Sequence, residues 1–328
     1  MQPQPREPSD ATLPLVAIVG PTATGKTALA VALAARLAGE SGCEAVSADS
    51  RQIYRGMDIA TAKPTAQERA LLPHHLLDIV APDEPYTLAR YQVDAAAAIN
   101  GIHARGRLPL LVGGTGLYVR AVVDGLAIPR VAPSLALRAE LEAELATHGL
   151  AALQARLAAL DPAATGQIDS NNPRRLIRAL EVCLLSGKPF SEQRGTRPTP
   201  YRTLLLGLTM ERGALYARAD ARIDAMLAAG LVAETEHLVA SGYAWDLPAM
   251  SSLGYREIGA YLRGETTLAA AIERFKLATH GYIRRQLTWF RPDTRIIWLD
   301  AARPTDALAE QAEALVHQLL RGSAQAPA

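Results

Sequence analysis

The stretch Gly20-Pro21-Thr22-Ala23-Thr24-Gly25-Lys26-Thr27 fits the phosphate-binding pattern G-x-x-x-x-G-K-[ST]. An apolar run precedes it and an Ala/Leu-rich run follows it, which is the strand–turn–helix context that the pattern needs. Its glycines allow backbone N–H groups to converge on phosphate oxygens, and the helix N-terminus adds positive potential. The Lys26 ammonium adds a point charge, and the Thr27 hydroxyl is placed to ligate Mg²⁺. We therefore predict that all of these residues bind the diphosphate end of a substrate.

The sequence indicates less clearly which acidic residue lies beside the phosphate site. In P-loop nucleoside triphosphatases an apolar strand usually ends in an acidic residue that holds Mg²⁺ and water. Here the apolar run Leu108–Val112 ends in Gly113-Gly114-Thr115-Gly116 instead. The nearest acidic candidate is Asp49, which follows a second predicted strand. It would act there as a general base, or it would cap the N-terminus of a helix.

The elements that position these residues alternate between strands and helices. Strands are predicted at Leu15–Val19, Glu44–Ala48, Leu76–Val80, Leu108–Val112, Thr203–Thr209 and Arg295–Leu299. Helices are predicted at Lys26–Ala38 and Thr87–Arg105. The alternation is typical of an α/β fold, a P-loop parallel sheet flanked by helices, with ligands at the carboxyl ends of the strands.

The pattern changes after Gly125. Helices are predicted at Ser134–His148, Leu150–Leu160 and Asn172–Ser186, with no strand between them. We therefore expect a discontinuous catalytic core, residues 14–125 and 200–321, interrupted by an all-helical insertion domain at 126–199. The terminal segments 1–13 and 322–328 are expected to be disordered.

Composition argues against several classes of protein. Lys and Arg total 34 against 33 for Asp and Glu, which disfavours a simple electrostatic coat for nucleic acid but leaves room for a local basic surface. No apolar run approaches the ~20 residues of a membrane span. The Pro-rich N-terminus lacks the apolar centre of a signal peptide, so we expect a cytoplasmic protein. The two cysteines, Cys43 and Cys183, supply neither a disulfide framework nor a C-x-x-C metal site.

Several longer segments resemble a single family. AIVGPTATGKT, SADSRQIYRGMDIATAKP, PHHLLDI and LLVGGTGLY are similar to bacterial tRNA dimethylallyltransferases, the isopentenyltransferases that modify the adenosine beside the anticodon. The similarity continues through NNPRRLIRALEV, ARADARIDAMLAAGLVAE, SSLGYREI and RRQLTWFR, so it covers nearly the whole chain. The DSRQIYRGMDIATAKP segment is far more specific than the phosphate loop.

The resemblance implies transfer of a dimethylallyl group from dimethylallyl diphosphate to the exocyclic N6 amine of the adenosine 3′ to the anticodon, in tRNAs that read codons starting with U. The phosphate loop and Mg²⁺ would then stabilise the charge on departing diphosphate, and no strand-end carboxylate is needed because no water is activated. By their place in the family motifs, Asp49 is the general base, Thr115 contacts the reacting nucleotide and Arg222 binds the diphosphate. The implied partners are dimethylallyl diphosphate and the anticodon stem-loop of tRNA, without a membrane, and we expect a monomer.

An adenosine must leave its stack to reach such a site, so the protein must hold the surrounding RNA. The family match implies RNA contacts in four groups of residues. They are Asp49, Ser50, Arg51, Gln52 and Thr115 at the nucleotide-binding turn; Arg138, Arg174, Arg175, Leu176, Ile177 and Arg178 in the insertion; Ser251, Ser252, Leu253, Gly254, Tyr255 and Arg256 in a small-residue loop; and Lys276, His280, Arg284, Arg285 and Gln286 on a C-terminal helix. On that helix Ile272, Phe275, Tyr282 and Trp289 are predicted to face the core instead of forming a platform for bases.

Three other functions stay open. A P-loop kinase for small molecules would use the insertion as a lid, but the missing strand-end carboxylate weighs against it. An enzyme that prenylates a free adenine nucleotide would not need the insertion or the basic segments RRLIR and RRQ. A non-enzymatic RNA-binding module would leave the phosphate loop and Asp49 without a role.

Overall fold

The computed structural model describes residues 12–39, 42–166, 168–169 and 171–322. Within these ranges six strands form one parallel sheet in the order β3-β2-β4-β1-β5-β6. The strands are β1 (Leu13–Val19), β2 (Cys43–Ser47), β3 (His74–His75), β4 (Leu108–Gly113), β5 (Tyr201–Thr209) and β6 (Ile296–Asp300). The α/β class predicted from the sequence is confirmed.

The helices lie between and beyond these strands. They are α1 (Lys26–Arg36), α2 (Ala66–Leu71), α3 (Leu88–Ala104), α4 (Gly116–Val123), α5 (Leu135–Leu160), α6 (Pro173–Ser186), α7 (Arg212–Ala228), α8 (Leu231–Ala240), α9 (Tyr255–Leu262), α10 (Leu268–Phe290) and α11 (Thr305–Arg321). In the part of the chain that the structure describes, no helix is both long enough and apolar enough to span a membrane.

The central strand β1 shows why the sheet needs helices on both faces. Every residue from Leu15 to Val19 is fully buried. Val16 and Ile18 pack with α1 and α11 on one face, whereas the alternate residues of the strand pack with α3 and α4 on the other. An uninterrupted apolar strand is what a parallel sheet covered on both sides requires.

A buried ionic cluster lies at the start of β2. The Glu44 side chain is only 5% exposed and accepts hydrogen bonds from Arg105 at 2.9 and 2.6 Å and from Arg107 at 3.1 Å. Its other neighbour is His75, with Nε2 at 2.6 Å from a carboxylate oxygen. The hydrogen bonds from Arg105, aided by His75, lower the pKa of Glu44 to about 2 against the opposing effect of burial.

One predicted strand is wrong. The segment Leu76–Val80 is a loop, and β3 covers only the two histidines before it. Leu76 and Asp78 have φ angles of 63° and 57°, which no strand accommodates. The Asp78 carboxylate is bound by Lys63 and by Arg69, the latter at 3.0 Å, so an ionic cluster and not sheet pairing determines this segment.

Residues Asp124–Thr199 form a compact unit of their own. Helices α5 and α6 pack through an apolar cluster that includes Leu141, Leu157 and Leu180. Gly149 interrupts α5 with φ 76° and ψ 177°, a conformation that favours glycine and that separates the two helices predicted there. Of the predicted tails, residues 1–11 and 323–328 lie outside the described ranges, and Leu13 already belongs to β1.

Candidate active site

A cavity of about 850 Å³ lies at the carboxyl ends of β1, β2 and β4, where parallel sheets bind ligands. Three segments that follow these strands line it: the phosphate loop, the turn that begins at Asp49 and the Gly113–Gly116 turn. Side chains from α7 and α10 complete the wall. The volume lies within the range of about 300–1,000 Å³ that is typical of ligand sites.

The phosphate loop has the geometry of an anion site. Ala23 and Gly25 adopt positive φ angles of 66° and 90°, and such changes of backbone handedness create concave sites lined by N–H groups. Helix α1 begins at Lys26 without a side-chain cap, which leaves its first N–H groups for a ligand. The Lys26 ammonium donates to the Pro21 carbonyl at 2.8 Å. Burial lowers the pKa of Lys26 to about 8, Asp49 opposes this shift and Arg222 adds to it. A bound anion would therefore favour the charged form of Lys26.

Asp49 lies in an irregular turn and not at the start of a helix. Its carboxylate accepts a hydrogen bond from the N–H of Arg51 at 2.9 Å, so it caps a local turn. No helix begins at this point, and the alternative role of a helix N-cap is wrong. The adjacent N–H of Ser50 donates to the Thr115 hydroxyl at 3.0 Å. This bond joins the two turns that carry the predicted base and the predicted nucleotide contact.

The glycines of the Gly113–Gly116 turn are packed too tightly to carry a side chain. A Cβ on Gly114 would lie 2.2 Å from Nε2 of Gln286, and one on Gly116 would lie 1.9 Å from Cδ1 of Trp289. The Gln286 amide donates to the Gly114 carbonyl at 2.9 Å and accepts from the Thr22 N–H at 2.9 Å. Gln286, for which the family resemblance predicts a contact with RNA, thus joins the phosphate loop to this turn.

Two arginines on α7 lie beside the phosphate loop. Arg222 lines the cavity, and its burial lowers the pKa of its guanidinium while Asp49 opposes the shift. Arg218 also lines the cavity, one helical turn earlier, and its guanidinium lies close to Gly25. Sequence reasoning missed Arg218, although its i, i+4 spacing from Arg222 places both on one face of the helix.

The turn after Asp49 is held by Gln52. Its amide nitrogen donates to the carbonyls of Thr61 and Ala62 at 3.2 and 3.1 Å, and its amide oxygen accepts from Ser47 at 3.1 Å. The ammonium of Lys63 is nearly buried and binds both Asp58 and Asp78. These bonds hold a wall of the cavity, so the predicted RNA contact at Gln52 has a clear structural role as well.

The predicted core face of α10 is partly wrong. Phe275 is buried as expected, but Tyr282 and Trp289 line the cavity, and Trp289 is 39% exposed. Burial raises the pKa of the Tyr282 phenol, and neighbouring Thr115 opposes this shift. The residues that pack α10 into the protein include Ile283 and Phe290 instead. The cavity interrupts the apolar face that the sequence spacing predicts.

The loop before α9 is anchored by a buried tyrosine and a half-buried glutamate. Tyr255 is fully buried and donates to the Glu234 carboxylate at 2.5 Å, and Glu234 also accepts from the N–H groups of Asp58 and Ile59. The predicted RNA-contacting residues Ser251, Ser252, Leu253 and Arg256 line the cavity, and Gly254 has φ 90°. This loop is therefore positioned by its buried members and presents the others to the cavity.

On α10 the predicted basic surface is largely paired. Lys276 binds Asp224 at 2.9 Å, and His280 binds Asp220 at 2.8 Å while stacking on Tyr216. Arg284 donates to the Tyr216 hydroxyl at 3.3 Å. The exposed Arg285 lies on the cavity side of the helix, with its guanidinium 5.8 Å from the centre of the Tyr282 ring.

In the helical unit the predicted RNA contacts divide into two sets. Arg138 and Arg178 both bind the fully buried carboxylate of Glu181, at 2.9 and 2.6 Å, and these bonds lower its pKa although burial opposes them. Leu176 and Ile177 are buried in the same unit. Arg174 is exposed, and Arg175 is 59% exposed at 3.8 Å from Asp169. Arg174 and Arg175 are therefore the basic side chains that α6 exposes to solvent.

Within the part of the chain that the structure describes, protein side chains alone do not form a metal-binding site. The described residues contain no group of three or more His, Cys, Asp and Glu that would hold a metal ion. The Thr27 hydroxyl and the Asp49 carboxylate both line the cavity. Mg²⁺ commonly keeps several waters and binds few protein groups together with substrate phosphates, and this donor set fits that mode.

Comparison with known proteins gives consistent results. Family models described as IPP transferase and isopentenyl transferase match residues 52–293 and 13–75. The chain is 56% identical to tRNA dimethylallyltransferase of Roseiflexus sp. (strain RS-1), over 93% of this chain and 98% of the relative. It is 50% identical to the protein of that name from Desulforudis audaxviator (strain MP104C), over 88% and 92% of the two chains.

Solved structures are similar as well. The tRNA isopentenylpyrophosphate transferase of Bacillus halodurans has a TM-score of 0.71 and 42% identity, covering 95% of this chain and 98% of that one. A eukaryotic dimethylallyltransferase, captured acting on tRNA, has a TM-score of 0.79 and 26% identity, covering 94% and 80%.

Proposed function

Because the chain belongs to the IPP transferase family, a family of tRNA-modifying prenyltransferase enzymes, we propose that it transfers a dimethylallyl group from dimethylallyl diphosphate to tRNA. The acceptor is the N6 amine of the adenosine 3′ to the anticodon, in tRNAs that read codons starting with U. One observation carries the proposal: the phosphate loop and Asp49 share a cavity, and β4 ends there in Gly113-Gly114 where a water-activating enzyme would have an acidic residue. That arrangement suits departure of a diphosphate and not activation of water.

The proposed step forms one bond and breaks another. The adenine amine nitrogen attacks the first carbon of the prenyl group, and the bond from that carbon to the diphosphate oxygen breaks. Asp49 takes the proton that the amine loses. Lys26, Arg222 and the amides of the phosphate loop stabilise the negative charge that develops on diphosphate.

Mg²⁺ belongs to this proposal. Thr27 would hold it together with diphosphate oxygens and water, and the bound ion would neutralise part of the charge on the leaving group. Thr115 positions the acceptor, which is supported by the hydrogen bond that its hydroxyl accepts from the N–H of Ser50, next to Asp49.

The RNA is held by exposed basic residues. Arg174 and Arg175 on α6, Arg256 on α9, and Arg284 and Arg285 on α10 are the exposed basic members of the predicted set. Contacts of this kind with phosphates give affinity without choice of sequence. The proposal also carries forward two expectations from the sequence, a monomeric state and a cytoplasmic location.

The test is transfer of radiolabel from dimethylallyl diphosphate, with Mg²⁺, to three acceptors: bulk unmodified tRNA, free AMP and none. Label in tRNA alone supports the proposal, and mapping of the labelled nucleotide tests its position. Label in AMP would mean that the acceptor is a free adenine nucleotide and not tRNA. If neither acceptor is labelled and the protein instead phosphorylates a small molecule with ATP, the proposal is wrong and the chain is a P-loop kinase.

A further inference from the structure

The indole of Trp289 is an unusual part of the cavity wall. It lines the cavity, and 39% of its surface is exposed. The atoms nearest Gly116 belong to its five-membered ring, and a Cβ at that position would lie 1.9 Å from Cδ1 and 2.1 Å from Nε1. The indole therefore lies against bare backbone, and any side chain at position 116 would displace it.

The helix that carries this indole also contacts the turn that contains Thr115. Trp289 lies seven residues after Tyr282 on the same face of α10, which is about 10 Å along the helix axis. Tyr282 lines the cavity together with Thr115, and Gln286, between Tyr282 and Trp289 on the helix, donates to the Gly114 carbonyl at 2.9 Å. Two side chains of this helix face, Gln286 and Trp289, thus contact the turn that carries Thr115.

The groups around the indole suit a nucleic-acid strand. Leu117, beside Gly116, lines the cavity and is 42% exposed. Arg285 and Arg51 line the same cavity, and Arg51 is oriented by a hydrogen bond to the Pro248 carbonyl at 2.7 Å. A flat apolar surface in a cavity that also holds cations matches a base and the phosphates on either side of it.

We propose that Trp289 stacks on a base next to the prenylated adenosine. When the adenosine leaves its stack, its neighbours lose a stacking partner, and the exposed indole supplies a replacement. The inference rests on the proposed function, because it requires an RNA substrate with an extruded base. Stacking on an aromatic ring tolerates any base, so Trp289 contributes affinity for the loop and not choice of sequence.

The first experiment leaves Trp289 unchanged. The chain has three tryptophans, and the double variant Trp245→Phe with Trp298→Phe leaves Trp289 as the only one. Titration with an unmodified anticodon stem-loop RNA is expected to quench its fluorescence in parallel with binding measured by filter retention. Binding without quenching would overturn the inference.

The second experiment measures the contribution to affinity. Trp289→Ala is expected to raise the Kd for the stem-loop and the KM for tRNA about tenfold, equal to about 1.4 kcal/mol, with the KM for the prenyl donor unchanged. Trp289→Phe should recover most of the loss, and Thr288→Ala, exposed on another side of α10, is the control. Wild-type Kd and KM in Trp289→Ala would refute the stacking role while wild-type prenyl transfer still supports the proposed function. Absence of label transfer by the wild type would remove both.

Discussion

Replacing Gln286 with methionine keeps most of its volume but removes the two polar atoms at its end. Those atoms join the Thr22 N–H of the phosphate loop to the Gly114 carbonyl, each at 2.9 Å. The side chain is 5% exposed, so little of it is available to RNA. We expect the substitution to reduce the free energy of unfolding and to weaken donor binding before it affects tRNA binding.

The magnitude follows from the two groups that lose a partner. Thr22 is half-buried at the cavity, so water replaces its partner and the cost is that of one ordinary hydrogen bond, about 1 kcal/mol. Gly114 is buried, and its carbonyl would stay unpaired at a cost of about 1–3 kcal/mol. The free energy of unfolding should therefore fall by about 2–4 kcal/mol.

Urea denaturation measures this loss, with the donor KM and the tRNA KM determined on the same preparations. The control is Gln311→Met, at an exposed position of α11, which should change the free energy of unfolding by less than about 0.5 kcal/mol. If Gln286→Met unfolds like the wild type and raises only the tRNA KM, Gln286 is an RNA contact and the structural reasoning fails.

Four other outcomes are expected. Asp49→Asn should slow prenyl transfer about 10²–10⁴-fold with both affinities near wild type, and near-normal single-turnover chemistry would identify another base. Because the pKa of Lys26 is about 8, the donor KM should rise as the pH increases through that value and the ammonium loses its proton; a flat profile would contradict this. Replacing Arg174 and Arg175 with glutamine should raise the tRNA KM and weaken its salt dependence, whereas an unchanged salt slope would assign them to the fold. The folded-state pKa of Glu44 is about 2 instead of 4.5, so its stabilisation is complete above 4.5 and lost as the pH falls towards 2. Glu44→Gln should cost about 2–3 kcal/mol in unfolding free energy at neutral pH, and urea midpoints independent of pH in the wild type would refute this.

The phosphate loop and most strands were predictable because their signals are local. A glycine-rich turn between an apolar run and an Ala-rich run indicates the same geometry wherever the chain places it, and Leu108–Val112 lies within β4 as predicted. The segment Leu76–Val80 was not predictable in this way. Its apolar residues resemble a strand, but Lys63 and Arg69 bind Asp78 and hold the chain in a loop.

The local pattern of residues is enough to show which chemical groups the chain carries: a lysine in a phosphate-loop motif, a carboxylate after a strand and the family segments that contain them. Which of those side chains remain available to a substrate depends on how the chain packs in three dimensions. Arg138 forms an ion pair with buried Glu181, and Gln286 is hydrogen-bonded to the phosphate loop. Trp289, predicted to lie in the core, lines the cavity instead. The reason is physical, since each of these outcomes depends on partners that are distant in sequence and that meet only when the helices pack.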